Sequence, residues 1–199
     1  MELWTPRSTS PSRSLAADRG GWDATPPAAG SSTSQPKAQL GLTKRIDAWC
    51  EARDIPEPDR IRFLPDVVNM LDDTSVASAE LSIATMPEPP ALIVTDTMAR
   101  TMIGGDENCA RDVGRFVAAV DQLRAAAGDC TALVVHPTGK RGDDERGSSA
   151  LRGAAAQTLA LSHDSGGLRL DFTKIKDYEP LAPLALHPTA TAECCAIRH

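Results

Sequence analysis

Two polar residues directly follow apolar runs that are typical of buried strands. Asp96 follows the run A-L-I-V-T, and His136 follows A-L-V-V. In open α/β sheets ligands bind at the carboxyl ends of the strands, and a carboxylate there is suited to holding Mg²⁺ beside a nucleotide. Each residue also has a simpler interpretation, because Asp often caps the turn after a strand and His136 can end a strand in the same structural role.

Basic side chains form two further groups that could contact phosphates. Lys140, Arg141 and Arg146 lie in the polar stretch G-K-R-G-D-D-E-R-G, and flexible cations are sufficient for phosphate contacts. The acidic residues in the same stretch favour the alternative of a solvated, charge-balanced loop. Lys174 and Lys176 alternate along a strand-like segment, which predicts that they face the same side; an exposed lysine pair is the alternative.

The elements that must position these residues alternate between helical and extended patterns. Helical spacing of apolar residues predicts a first helix that ends near Arg53 and a long helix over 108–127, stopped by Gly128. Between them, Asp72, Asp73 and Thr74 offer N-caps. The helix that they begin carries Val76, Ala79, Leu81 and Ile83.

The strand-like segments are short apolar runs, and Gly166-Gly167 predicts a hairpin late in the chain. Helices that alternate with such strands predict an α/β fold with a mostly parallel sheet and a late antiparallel hairpin. A short helix is predicted from about residue 148. The predicted strands are 61–64, 91–95, 131–135, 158–162, 168–174 and 184–187.

Composition separates an N-terminal segment from the rest. Ser, Thr, Pro and Gly make up almost half of residues 1–40, and such a segment cannot bury enough apolar surface to offset its ordering entropy. We therefore predict a disordered segment over 1–40, a folded domain over 41–187 and a flexible tail over 188–199.

Charge and cysteine content exclude several classes of protein. The net charge of −6 over 199 residues argues against a uniformly basic nucleic-acid-binding protein. The five cysteines form no C-x-x-C pair, so a structural metal site is not expected. No apolar run is long enough for a membrane span and no secretory signal is recognisable. These features predict a cytoplasmic protein without a membrane partner.

Several motifs in a fixed order resemble one family of ATPases. The stretches A-L-I-V-T-D-T-M-A-R-T-M-I-G-G-D-E-N, L-V-V-H-P-T-G-K and E-R-G-S-S-A-L-R-G-A-A follow one another with suitable gaps, with F-L-P-D-V-V-N-M-L-D before them and F-T-K-I-K-D after. Together they resemble the RepA-like branch of the RecA-type AAA family ATPases, which are hexameric replicative helicases. The resemblance covers residues 41–187 and implies a RecA-like P-loop NTPase core.

The resemblance implies a role for each polar residue. Asp96 would be the Walker B carboxylate that holds Mg²⁺ of bound ATP through water, and His136 would begin the motif that senses the γ-phosphate. The family usually has two adjacent histidines there, whereas this chain has His136-Pro137; if the second histidine is the sensor, the role is lost here. Lys140, Arg141 and Arg146 match the position of a loop that contacts single-stranded DNA. Lys174 and Lys176 match, in position only, residues that reach a neighbouring subunit's nucleotide.

One expected element is missing from the sequence. No segment matches G-x-x-x-x-G-K-[ST], the loop whose amides and lysine hold nucleotide phosphates. The resemblance places this Walker A loop, with its strand and helix, before Gly41, so we expect an N-terminally truncated chain. A reading-frame change is one explanation, because shifted reading of residues 7–15 and 30–38 with GC-rich codons can give an apolar helix and a strand that ends in Glu.

The sequence therefore leads to two hypotheses. The first is a fragment of a RecA/RepA-like ATPase or DNA helicase from a replication or mobile-element system, inactive in hydrolysis by itself. The second is a non-catalytic assembly module that joins rings of an intact paralogue. In both, the expected partners are single-stranded DNA and further subunits, either copies of this chain or an intact homologue.

Overall fold

A computed structural model describes residues 36–64, 66–137, 149–164, 166–179, 181–190 and 195–198. The described chain divides into two compact units. The first contains residues 58–103 and 119–136, and the second contains 36–57, 104–118 and the described residues from 137 onward.

Helices and strands alternate through the first part of the chain, and strands dominate the last part. The helices are α1 (Pro36–Glu51), α2 (Asp73–Ala84), α3 (Met98–Thr101), α4 (Ala110–Ala126) and α5 (Ala150–Ala154). The strands are β1 (Leu92–Asp96), β2 (Thr131–Val135), β3 (Gln157–Asp164), β4 (Gly167–Ile175), β5 (Leu184–Ala190) and β6 (Cys195–Arg198).

The first unit is organised around a two-stranded parallel sheet. β1 pairs with β2 in register from Leu92↔Thr131 to Asp96↔Val135. Side chains alternate between the two faces of a strand, and the face that carries Ile93 and Thr95 is buried on β1. The predicted strand ending at Asp96 is thus confirmed.

Capping groups define the start of α2 and the end of α4. Asp72 is the N-cap of α2, and its carboxylate accepts a hydrogen bond from the backbone N–H of Ser75 at 3.1 Å. The end of α4 has the Schellman arrangement: Gly128, at φ +75°, donates to Ala125 O, and Asp129 donates to Arg124 O at 2.8 Å. The predicted helices and the stop at Gly128 are therefore confirmed.

The second unit contains a four-stranded antiparallel sheet in the order β3-β4-β5-β6. The predicted hairpin is confirmed, since β3 and β4 pair from Gln157↔Ile175 to Asp164↔Gly167. At the β6 edge, Arg53 of the turn after α1 donates to Ile197 O at 3.0 Å and lies over the ring of Trp49. This contact attaches the C-terminal strand to the first helix.

The prediction of a mostly parallel sheet is wrong for the described strands. Only β1 and β2 are parallel, and the other four strands pair with antiparallel neighbours. Parallel neighbours need a long crossover, whereas the links from β3 to β4 and from β4 to β5 are short. The coarser expectation of a mixed α/β protein is confirmed, with one parallel and one antiparallel sheet.

Two local predictions also fail. Residues 61–64 form no continuous strand: Phe63 makes only an isolated β-bridge, and Arg62 Nη1 donates to the carbonyl oxygens of Asp59 and Ile61. β2 is half exposed rather than buried, with Leu133 at 42%.

The predicted boundaries at both ends shift as well. α1 begins at Pro36, inside the segment 1–40 that was predicted to be disordered; residues 1–35 lie outside the described part. The segment 188–199, predicted to be a flexible tail, contributes the end of β5 and the strand β6. Antiparallel pairing to β5 orders this end. Among the described helices, none has the length and apolar character required to cross a membrane.

Candidate functional site

The carboxyl edge of the parallel pair brings together two of the predicted site residues. Asp96 is the last residue of β1 and pairs with Val135, the residue immediately before His136. Neighbouring strands lie about 4.8 Å apart, so Asp96 and His136 occupy the same edge. This is the edge at which open α/β sheets bind their ligands.

The two side chains differ in accessibility. Asp96 is exposed, whereas His136 is half-buried. The peptide bond from Asp96 to Thr97 is cis. An exposed carboxylate can be reached by a hydrated cation, and Mg²⁺ is usually bound through one or two carboxylates together with substrate phosphates. The donor chemistry of Asp96 therefore fits a water-mediated contact to Mg²⁺ of a nucleotide.

Helix α3 fixes the chain directly after Asp96. Met98 is 1% exposed and Thr101 is 2% exposed. The Thr101 hydroxyl donates to Met98 O at 3.0 Å, and the backbone N–H of Met70 donates to Thr101 O at 2.7 Å. The turn that follows the carboxylate is thus held by burial and by backbone hydrogen bonds.

Asn69 supports this turn and was missed as a site-positioning residue in the sequence. Its side-chain amide donates to Ile103 O at 3.3 Å, its carbonyl oxygen accepts from the N–H of Leu71, and its own N–H donates to Ser75 Oγ at 2.9 Å. Asn69 therefore connects the start of α2 to the segment after α3. The sequence signal was an Asn three residues before the N-cap Asp72.

Lys174 makes a different set of contacts from those predicted for it. Its ammonium donates to Arg152 O at 2.6 Å, Gly153 O at 3.2 Å and Ala155 O at 2.6 Å. An ammonium has three N–H donors, so all three are used by carbonyl oxygens of α5 and of its C-cap residue Ala155. Lys174 thus closes the C-terminal end of this helix, where a cation is favourable.

Lys176 lies apart from this arrangement. β4 ends at Ile175, so Lys176 is in the bend after the strand, where its side chain is exposed and its N–H donates to Ala156 O at 2.9 Å. The predicted role of Lys174 and Lys176 at a neighbouring subunit's nucleotide stays a prediction. The basic residues Lys140, Arg141 and Arg146 lie outside the described residues.

The described residues contain no cluster of metal ligands. Within the described ranges, no three His, Cys, Asp or Glu residues are grouped so that they could hold an ion. The cysteines Cys50, Cys109 and Cys130 are free thiols.

Comparison with known proteins identifies the family. No curated protein gives a significant match to the chain. The family model described as AAA domain matches residues 36–143, more than half of the chain, and this range contains Asp96, His136, Lys140 and Arg141. Arg146, Lys174 and Lys176 lie beyond the match. On this match the chain belongs to the AAA domain family of P-loop ATPases.

Proposed function

We propose that the chain is part of a RecA/RepA-like ATPase or DNA helicase of a replication or mobile-element system, and that it does not hydrolyse ATP by itself. The observation that carries this proposal is the pairing of Asp96 with Val135, the residue before His136. The AAA family match supports an ATPase-like function in general. The helicase branch rests on the ordered sequence motifs.

In this proposal Asp96 and His136 have separate roles. The Asp96 carboxylate accepts hydrogen bonds from water bound to Mg²⁺ of ATP, which is supported by its exposure at the strand end. His136 lies beside it and donates toward the terminal phosphate. This contact requires that the first histidine of the family's motif is the sensor, because a Pro stands in place of the second.

The absence of G-x-x-x-x-G-K-[ST] from the 199 residues determines what the chain can do alone. That loop supplies backbone amides and a lysine to the phosphates. Asp96 can orient a hydrated cation but cannot replace this cradle. We therefore expect nucleotide affinity weaker than roughly millimolar, corresponding to less than about 4 kcal/mol of binding free energy, and no turnover above background.

The proposed partners are single-stranded DNA and other subunits of a ring. Lys140, Arg141 and Arg146 supply the proposed DNA contact, because flexible cations bind backbone phosphates without exact geometry. Homologous subunits, either copies of this chain or an intact relative, supply the missing parts of the nucleotide site.

A second candidate function is a non-catalytic assembly module that joins rings of an intact paralogue. One contact favours it. The Lys174 ammonium is bound to three carbonyl oxygens of its own chain, so it can act at a neighbour's nucleotide only after these hydrogen bonds break. In this second role neither Asp96 nor Lys174 needs to touch ATP.

An ATP-binding assay with and without an intact homologue separates the two functions. Purified chain is mixed with the homologue, and ATP binding and turnover are compared for the wild type, Asp96→Asn and the control Asp66→Asn, which changes an exposed carboxylate of the same unit. If the chain contributes a nucleotide site, Asp96→Asn alone reduces the binding that it adds to the mixture. If it is an assembly module, it joins the ring and both variants behave as the wild type.

A further inference from the structure

The outer edge of β3 is a strand edge that no other described strand pairs with. β3 is the first strand in the order β3-β4-β5-β6, and no described residue pairs with its outer side. At the opposite edge, α1 packs on β6 and Arg53 donates to Ile197 O. Natural edge strands are commonly protected by Lys, Pro or a covering element. The β3 sequence Q-T-L-A-L-S-H-D contains neither Lys, Arg nor Pro.

One face of this sheet is apolar and continues to the β3 edge. Cross-strand pairs place these side chains together: Leu159 with Phe172, Leu161 with Leu170, and Leu168 and Leu170 with Leu186 and Leu184. None of the seven is fully buried, and the two on β3 are the most exposed, Leu159 at 41% and Leu161 at 53%. We call this set the leucine face.

We propose that two copies of the chain pair through β3, antiparallel about a twofold axis at Ala160. In this register Ala160 lies opposite Ala160 of the second copy, and Leu159 lies opposite Leu161 of the second copy. Directly opposed residues of antiparallel strands share a face. The leucine face of one copy therefore continues into that of the other. The two most exposed residues of this face, Leu159 and Leu161, then lie at the centre of the contact.

The opposite face of β3 is compatible with the same register. Thr158 lies opposite Ser162 of the second copy, and hydroxyl pairs of this kind hydrogen-bond across strands. No like charges meet, because Gln157 lies opposite His163 of the second copy.

The size of the contact sets its strength. One strand pair and two leucines from each copy bury less than the roughly 1,200 Å² that is typical of stable interfaces. Both copies use the same surface in this contact, so no free copy of that surface remains and the assembly stops at two subunits. The proposal therefore predicts a weak dimer that forms with rising concentration, through a surface that shares no residue with the carboxyl edge at Asp96.

Charge substitution at the twofold axis tests the register. Ala160→Lys and Ala160→Glu each place like charges directly opposite one another, so each should raise the dimer dissociation constant at least tenfold in sedimentation equilibrium. An equimolar mixture of the two variants should recover the dimer. Ala185→Glu is the matched control: Ala185 is exposed, lies on the same face on the inner strand β5 and pairs with Arg169, so the new carboxylate meets an opposite charge. It should leave dimerisation unchanged.

A milder variant covers the possibility that a charge at residue 160 prevents folding. Opposed Cα atoms in antiparallel strands lie about 4.5–5.5 Å apart, within the range that a disulfide spans. Ala160→Cys should therefore form a linked dimer under oxidation, and Ala185→Cys should not. A wild-type chain that remains monomeric at all concentrations, or an Ala160→Cys chain that links no better than Ala185→Cys, overturns the proposal.

Discussion

Asp96, the last residue of β1, lies directly across the parallel pair from Val135, the last residue of β2. Because the strands are parallel and in register, the next residue along β2 is His136, at the same edge as the carboxylate. This relationship follows from the pairing of β1 with β2, both of which lie in the first unit. It is the structural basis for the proposed nucleotide site at this edge.

Lys174→Met tests the contact between the hairpin and α5. Methionine keeps an unbranched apolar stem but removes three N–H donors, which would leave the carbonyl oxygens of Arg152, Gly153 and Ala155 without this partner. We expect a loss of about 1–3 kcal/mol in the free energy of unfolding, measured by urea titration with circular dichroism. Lys176→Met, at an exposed bend, should lie within about 0.5 kcal/mol of the wild type. Equal effects of the two substitutions would refute the contact.

Two glycine substitutions in and after α4 should have opposite signs. Gly128 has φ +75° in the Schellman arrangement, so Gly128→Ala should destabilise the fold by about 1–2 kcal/mol. Gly114 lies within α4, and a Cβ there would meet no atom within 4 Å. Gly114→Ala should therefore stabilise the fold by about 0.5–1 kcal/mol. Shifts of the urea midpoint in the same direction would contradict this account of the helix end.

Thiol reactivity should follow burial. Burial raises the pKa of the Cys50 and Cys130 thiols, so less thiolate is present at a given pH. Both should be alkylated more slowly at neutral pH than Cys109, which is only half-buried, as mapped by mass spectrometry of iodoacetamide-treated protein. Similar rates at Cys50, Cys109 and Cys130 in the folded protein would contradict this assignment.

The same raised pKa values affect stability in a defined direction. Unfolding makes both thiols more acidic, because it returns them to water. Their stabilising effect is therefore complete below the unfolded-state pKa of about 8.5 and is lost as the pH rises through the folded values.

The proposed DNA contact predicts a specific dependence on salt. Each phosphate neutralised on a single strand contributes about −0.7 to the slope of log affinity against log salt, so three contacts give a slope near −2. Replacing Lys140, Arg141 and Arg146 together by Ala should flatten this slope in titrations of labelled single-stranded DNA. An unchanged slope in the chain alone and in a mixture with an intact homologue would assign these charges to an ordinary solvated loop.

Local signals predicted the first unit well because capping residues within the sequence mark where its helices begin and end. Asp72 begins a helix and Gly128 ends one, each through backbone groups within a few residues. The run before Asp96 is apolar and β-branched, as a buried strand requires. These features depend on neighbouring residues, so the sequence contains them directly.

Contacts between distant residues could not be predicted in the same way. Lys174 reaches carbonyl oxygens about twenty residues earlier, and nothing in its neighbours distinguishes it from Lys176. β6 was missed because a segment of only four residues has no clear strand pattern of its own and becomes a strand through pairing with β5. The half-exposed β2 was expected to be buried because its apolar composition does not indicate how many strands flank it.

Paramagnetic NMR with Mn²⁺·ATP tests the central claim most directly. Mn²⁺ accepts the same oxygen ligands as Mg²⁺, and the broadening that it causes is detectable even for weak, rapidly exchanging complexes. The four histidines, His136, His163, His187 and His199, provide separate imidazole signals. We predict that Mn²⁺·ATP broadens His136 selectively, and that Asp96→Asn abolishes this effect while Asp66→Asn preserves it. Uniform broadening of all four signals, or a His136 response unaffected by Asp96→Asn, would contradict a nucleotide site at the carboxyl edge of the parallel pair.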